Sequence, residues 1–434
     1  MKTLFTNATV LSLTEAGEWN VLKNACLAVD GDRISYIGAA RPQGTFDRTL
    51  DYTNKLLMPG LINTHCHAPM TLLRGLGSDK PLHVWLFDYM FPTEDMLRPE
   101  DIGAGTYLAL LEMIATGTTS FTDMYYITDV TADACVEAGI KANLCRPLQC
   151  FDPEETLEKS TRAKEAFSLF ERRNGDGNGR IKVDFSIHAE YTCTERLVRS
   201  FSEAVAGKDS GMHIHLSETK SEHEQCIEKY GKTPAAWFRD LGAFRLPTAA
   251  AHCVWVSDED IAILQENGVS VMHNPTSNMK LGSGFAPVTK MLAAGINLCL
   301  GTDGAASNNN LNMFEELHLA SVIHNGAALD AEIMPPAVTL KMATANGALL
   351  QRRTDTGILR EGFKADIIAV DMDKPHLYPN PDPLATLCYS VQGSDVCMTM
   401  VDGRVLYENG EYLTLDKDKI MHMAKESCRY LYGK

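Results

Sequence analysis

The chain has 434 residues, 45% hydrophobic and 22% charged, with a formal net charge of −16. This is ordinary globular composition at a length that exceeds a typical single domain. The acidic balance argues against a nucleic-acid partner, and the lack of an apolar run of roughly 18 residues argues against a membrane span. The start, "MKTLFTNATVLSLTEAGEWN", alternates apolar residues with Thr and Asn and does not read as a secretory signal. Twelve cysteines without a C-x-x-C pair read as reduced, mostly buried thiols of a cytoplasmic chain.

In chain order, "TLFTNATVLSL" and "NACLAVDGDRISYIGAA" read as short alternating strands, with "DGDR" as a hairpin turn. The pattern changes at "LLMPGLINTHCH". From there, strand-like runs alternate with helical segments: "LLMPGLINTH", "TTSFTDM", "IKANLCRPL", "IKVDFSIH", "MHIHLS", "TAAAHC", "VSVMHN" and "INLCLGTD". The amphipathic run "PEDIGAGTYLALLEMIATG" is one such helix. "SDEDIAILQENG" is another, capped by Ser257 with Asp260 three residues on and closed by Gly268. "RRNGDGNGR" reads as a surface turn before strand 4. Eight strands each followed by a helix predict an α/β fold, a (β/α)₈ TIM-like barrel over 59–355. Short strands return in "GILREGFKADIIAVDM" and "CMTMVDGRVLYENGEYL", so segments 1–58 and 356–434 are expected to join as a composite β-sandwich domain.

The polar residues at strand ends carry the chemistry. His65 and His67 are two apart, so both point to one face of strand 1, at the carboxyl end where barrel active sites form. Cys66 between them turns to the other face. An isolated H-x-H is weak evidence for a metal. "MHIHLSETKSEHE" places His213 and His215 at the end of strand 5, with Glu218 three residues later. "AAHCVWVSDED" places His252 at the end of strand 6, and "LCLGTDGAASNNNLN" places Asp303 at the end of strand 8. Chance does not readily put metal-ligating types at the mouths of strands 1, 5, 6 and 8 together.

In this order, "PGLINTHCH", "HLSET", "AAHCVWV" and "GTDGAASNNNLN" resemble the amidohydrolase superfamily, in its metal-dependent deaminase branch. The match extends to the flanking "GILREGFKADIIAV". "HAPMTLLRGLGSDKPLHVWLFDYMFPTED" is similar to the 5-methylthioadenosine/S-adenosylhomocysteine deaminases of that branch. The resemblance implies that His65, His67, His215 and Asp303 bind one divalent metal, zinc or iron. "KVDFSIHAEY" has no lysine at its C-terminal end, which favours a mononuclear site.

The same resemblance implies hydrolytic deamination at C6 of an adenine nucleoside. Glu218 is then the proton donor, with His252 and Asp303 assisting. Glu94 would grip the ribose hydroxyls, Trp85 would wall the pocket, and His188 and Ser307 would approach the purine or ribose. Arg146 matches the first of two arginines that homocysteine-accepting relatives offer a carboxylate. The second should fall in "FDPEETLEK", which holds none, so S-adenosylhomocysteine is expected to be a poorer substrate than methylthioadenosine or adenosine.

His213 aligns with no family ligand and reads as a buried structural histidine. His273 and Asn274 resemble a supporting stretch near strand 7. Relatives imply a homo-oligomer. Two other readings stay open: a same-fold deaminase or chlorohydrolase acting on guanine, a pterin or a triazine, and a scaffold that kept the barrel without chemistry.

Overall fold

In the computed structural model, which describes every residue except 15 and 434, the chain forms a TIM-like barrel beside a β-sandwich. The barrel strands are Leu61–Cys66, Thr118–Met124, Lys141–Cys145 with Pro147–Leu148, Ile181–Val183 with Phe185–Ile187, Met212–Leu216, Thr248–His252, Ser270–His273 and Leu298–Leu300. They are barrel strands 1 to 8 below. Each pairs in parallel with the next. Closure between strands 8 and 1 comes from single bonds: Thr64 Oγ1 donates to the Leu300 carbonyl at 2.7 Å, and the Asp303 N–H donates to the His65 carbonyl at 2.9 Å.

The strands at Lys2–Leu13, Trp19–Asp30, Arg33–Gly38, Arg48–Asp51 and Lys55–Pro59 join those at Ile367–Asp371, Val396–Val401, Arg404–Glu408 and Glu411–Tyr412 in one nine-stranded sheet. The sheet curls over, so Leu27, Val29 and Ile34 from one end share a core with Met398 and Met400 from the other. The "DGDR" hairpin forms as expected, with Asp30 opposite Arg33 and Gly31 at φ +63°. Ser257 caps the helix Asp258–Glu266 together with Asp260.

Two sequence expectations need correction. "LLMPGLINTH" is two strands. Lys55–Pro59 belongs to the flanking sheet and Leu61–Cys66 to the barrel, with the break at Gly60. A Cβ there would lie 2.1 Å from Thr119 Oγ1, so only glycine lets the chain cross between the two layers. The segment after 356 is also not wholly β. Its last helix, Lys417–Tyr432, returns to the barrel, where Ala424 packs with Leu72 and Ala104 and the Tyr432 hydroxyl donates to the Leu72 carbonyl.

No helix among the described residues is long and apolar enough to cross a membrane. All twelve cysteines are free thiols.

A buried ion cluster locks sheet to barrel. Lys141, at the start of barrel strand 3, bonds Asp366 and lies 2.7 Å from Asp402, with only 4% of its side chain exposed. Among the described residues, removing the cation leaves the buried Asp366 without an ion-pair partner, while Asp402 keeps only the longer approaches of Arg180 at 3.8 Å and Lys364 at 3.9 Å. Lys141→Met is therefore expected to destabilise the chain by about 3–5 kcal/mol. A lowered urea midpoint would report this, and an unchanged midpoint would contradict it.

Candidate metal centre and active site

Strand alternation turns Cys66 away from the barrel mouth into an apolar cluster with Phe121 and Ala305. His65 and His67 face the mouth, as do His215 from strand 5 and His252 from strand 6. Each of these rings is tied at Nδ1. His65 Nδ1 meets His213 Nε2 at 2.9 Å. His67 Nδ1 donates to the Met124 carbonyl at 2.6 Å, and His215 Nδ1 donates to the His188 carbonyl at 2.7 Å. His252 Nδ1 meets Asn278 Oδ1 at 2.8 Å. Fixing Nδ1 in this way leaves Nε2 as the free nitrogen of each ring.

Those nitrogens converge with Asp303. His65 Nε2 and His67 Nε2 lie 3.5 and 3.2 Å from Asp303 Oδ1. Two overlapping triads result, His65–His67–Asp303 and His65–His215–His252. In each, one ligand atom per residue lies within 4.8 Å of the others. The four residues singled out as metal ligands are thus split between two triads that share His65, and His252 stands beside His215.

Asp303 is held on all sides. Ser277 Oγ and Ser307 Oγ donate to its Oδ2 at 2.6 and 3.0 Å, and the Gly304 N–H donates to Oδ1 at 2.8 Å. Burial opposes its charge, but the imidazoles of His65 and His67 hold it well below the usual carboxylate range. Burial pushes His65 down to about 4 and His215 well below its ordinary value, so both rings are neutral, the form that ligates metal. His67 goes the other way, to about 9. Burial lowers it, and the bond and charge of Asp303 outweigh that. A cation placed there would answer the same negative charge.

The site fits a divalent metal. His65 Nε2 is buried and has no hydrogen-bond partner among the described residues. Imidazole nitrogens with one carboxylate oxygen form a donor set that zinc and iron(II) both accept.

Beside this cluster stands Glu218. Its Oε2 lies 3.6 Å from His252 Nε2, and its Oε1 accepts from Ser283 Oγ at 3.3 Å. Burial pushes its carboxyl up to about 7, so it is poised to exchange a proton near neutral pH.

A cavity opens onto the cluster. Its wall includes His67, His215, His252, Glu218 and Asp303, together with Glu94 and Trp85. Glu94 is half-buried and accepts from the Tyr125 hydroxyl at 2.7 Å; desolvation raises its pKa. Trp85 is 6% exposed with its indole nitrogen unpartnered. His188 also lines the cavity, its Nδ1 3.1 Å from Thr192 Oγ1.

Two expected substrate contacts are not brought to this wall. Ser307 lies behind Asp303 and spends its hydroxyl on that carboxylate and on the Gly304 carbonyl. Arg146 lines a neighbouring cavity instead, and its Nε donates to Glu165 at 2.7 Å. That cavity shares Phe91, Glu94 and Tyr126 with the first. It also receives Arg162, which lies just beyond the acidic stretch that holds no arginine.

Sequence reasoning missed several contributors. Tyr125, Tyr126 and Tyr191 wall the cavity, and Asn278 orients His252. Aromatic residues outside a strand-end motif carry no signal that separates a pocket wall from core. His213, read as merely structural, bonds a ring of the cluster. His273 does not reach the site and pairs with His324 at 2.9 Å, while Asn274 approaches His252 Nδ1 at 3.4 Å.

Comparison with known proteins agrees with this geometry. A model described as the amidohydrolase family matches residues 56–406. A 5-methylthioadenosine/S-adenosylhomocysteine deaminase of Thermoanaerobacter pseudethanolicus is 43% identical over 99% of both chains. A 5′-deoxyadenosine deaminase of Methanosarcina mazei is 42% identical over 99% of this chain and 98% of its own. Among solved structures, an adenosine deaminase from Xanthomonas campestris with bound zinc superposes with a TM-score of 0.92 at 30% identity. It covers 100% of this chain and 99% of its own.

The His213 contact yields a test. His213→Leu removes the partner that orients His65, so affinity for zinc should fall by about 10–100-fold. Competition against a chelator would measure it, and unchanged affinity would show that His65 needs no such support.

Proposed function

The chain belongs to the amidohydrolase family, and from that premise we propose that it hydrolyses the C6–amino bond of an adenine nucleoside, releasing the inosine analogue and ammonia. The proposed substrates are 5′-methylthioadenosine, 5′-deoxyadenosine and adenosine. The reading is supported by the names of full-length relatives. The observation that carries it in this chain is the half-buried Glu94 carboxylate, in the same cavity as the histidine cluster. A carboxylate accepts two hydroxyl hydrogen bonds well, and a ribose diol offers them where a free base or a triazine does not.

We assign His65, His67, His215 and Asp303 to hold the metal, with zinc proposed and iron(II) the alternative. When bound, such an ion lowers the pKa of water toward 7 and makes hydroxide available for attack on C6. The residues of the chain manage the protons. Glu218, whose carboxyl is raised to about 7, donates to N1 as C6 becomes tetrahedral. His252 takes one proton of the attacking water, Asp303 assists its transfer to the departing amino group, and the proton left on the C6 hydroxyl returns to Glu218 as the C6 carbonyl forms. The product gains the water oxygen at C6, and the amino group leaves as ammonia. Trp85, Glu94 and His188 hold the nucleoside.

Segment 59–355 is proposed as the catalytic unit, and 1–58 with 356–434 as the flanking domain. A cytoplasmic, homo-oligomeric enzyme is the accompanying proposal.

Arg146 is already neutralised by Glu165, which supports the homocysteine adduct as a weaker substrate. An ammonia-release panel tests the whole reading. Nucleosides should exceed adenine and guanine by at least about 100-fold in kcat/KM, and Glu94→Gln should cost about 10–100-fold on nucleosides alone. Comparable turnover of a free base or a triazine would overturn the nucleoside assignment, and an equal or better rate on the homocysteine adduct would overturn the ranking.

A second test concerns Glu218. Glu218→Gln should bind metal as the wild type does while losing about 10²–10⁴-fold in kcat. Wild-type turnover in that variant would remove Glu218 from the proton path.

A further inference from the structure

Directly behind Glu218 lies a second pair of buried carboxyl groups that the proposed chemistry does not use. Glu222 sits in the first turn of the helix Lys220–Tyr230, and Glu190 in the short turn Glu190–Thr192 after barrel strand 4. Glu222 is 6% exposed and Glu190 1%. Glu222 Oε2 accepts from the Glu218 N–H at 2.9 Å and from the Thr219 N–H at 3.2 Å. Its Oε1 is buried and bonds no fixed donor, and neither oxygen of Glu190 has one either. The helix Lys220–Tyr230 packs on the turn Glu190–Thr192, which makes the two carboxyl groups neighbours, the charge of Glu222 acting on Glu190. Among the described residues, no Lys, Arg or His forms an ion pair with either.

Two neighbouring carboxylates in a dry site cannot both be ionised, so the pair must share a proton. Glu222 already accepts two backbone N–H groups, which favours its charged form. The proton therefore belongs on Glu190. Once there, it supplies the donor that Glu222 Oε1 lacks, and one bond satisfies both orphaned groups.

We propose that Glu190 is retained as a neutral carboxylic acid donating to Glu222, and that the pair clamps the Glu218 backbone, making both positioning residues for proton transfer. This rests on the reading of Glu218 as the proton carrier. Burial and the neighbouring charge raise Glu190 well above the ordinary range. Burial raises Glu222 too, but the Thr219 N–H and Glu190 hydroxyl pull it back. The geometry gives the clamp a second purchase. Glu190 adjoins Tyr191, which walls the cavity, and follows His188, whose carbonyl holds His215. The acid pair thus ties the turn after strand 4 to the turn that carries Glu218.

Glu190→Gln keeps a donor toward Glu222, and Glu190→Met keeps the length and removes the donor. The Gln variant should hold kcat within about twofold of wild type, whereas the Met variant should lose at least about tenfold in kcat, with KM and bound zinc little changed. Hydrogen exchange of the peptide 216–222, followed by mass spectrometry, needs no substrate. It should be wild-type-like in the Gln variant and at least about tenfold faster in the Met variant.

If Glu190→Met does not fold, Glu222→Met, which removes the acceptor of the same clamp, takes its place with the same expectations. Wild-type exchange and kcat in the Met variant, or a Gln variant as impaired as the Met variant, would overturn the proposal. A wild-type protein that deaminates no nucleoside would instead overturn the functional reading, and the exchange comparison would still decide the clamp.

Discussion

The structure depends on one constraint: rings from barrel strands 1, 5 and 6 must bring their ligand nitrogens together around His65, which also meets Asp303. Free imidazoles would rotate and offer either nitrogen. Here each Nδ1 is spent on a fixed neighbour, either a backbone carbonyl, an asparagine or another histidine. Nε2 is then the atom left over at each position, and it faces Asp303 or its neighbours. The orientation of these rings is thus settled by the fold, which is the condition a tight and selective metal site requires.

The barrel meets this condition at a local cost. Ser217, His252 and Asp303 all have left-handed backbones, at φ +46°, +72° and +61°. Such conformations cost of order 1–3 kcal/mol for residues with a Cβ. They fall where strands 5, 6 and 8 turn into their loops, and they aim Glu218, His252 and Asp303 at one another. Close packing enforces the same geometry. A Cβ on Gly301 would meet the His65 backbone nitrogen at 2.8 Å, so the Gly301–Asp303 segment can lie against strand 1 only as it is. Strain in the loops is offset by the core beneath them, where the strand residues are almost wholly buried.

Much of this was legible in the sequence because strand ends are marked twice, by an apolar run and by the polar residue that terminates it. That double mark located all eight strands and placed His65, His67, His215, Glu218, His252 and Asp303 at one rim. What it could not supply was information carried by direction. Ser307 and Arg146 are close in sequence or in space to the site, but their hydroxyl and guanidinium are captured by Asp303 and Glu165. A hydrogen bond between distant residues leaves no periodic trace. The same holds for His213, whose partner lies 148 positions away. The break at Gly60 was invisible because both halves of "LLMPGLINTH" have strand character, and only the close approach of Thr119 separates them.

The central claim is that side chains of strands 1, 5 and 8 enclose a single divalent ion. Anomalous diffraction from crystals grown with zinc, at energies on either side of the metal edge, tests it most directly. The account predicts one peak per chain, bonded to the Nε2 atoms of His65, His67 and His215 and to the Asp303 carboxylate. A peak elsewhere, or none at that position, would contradict it.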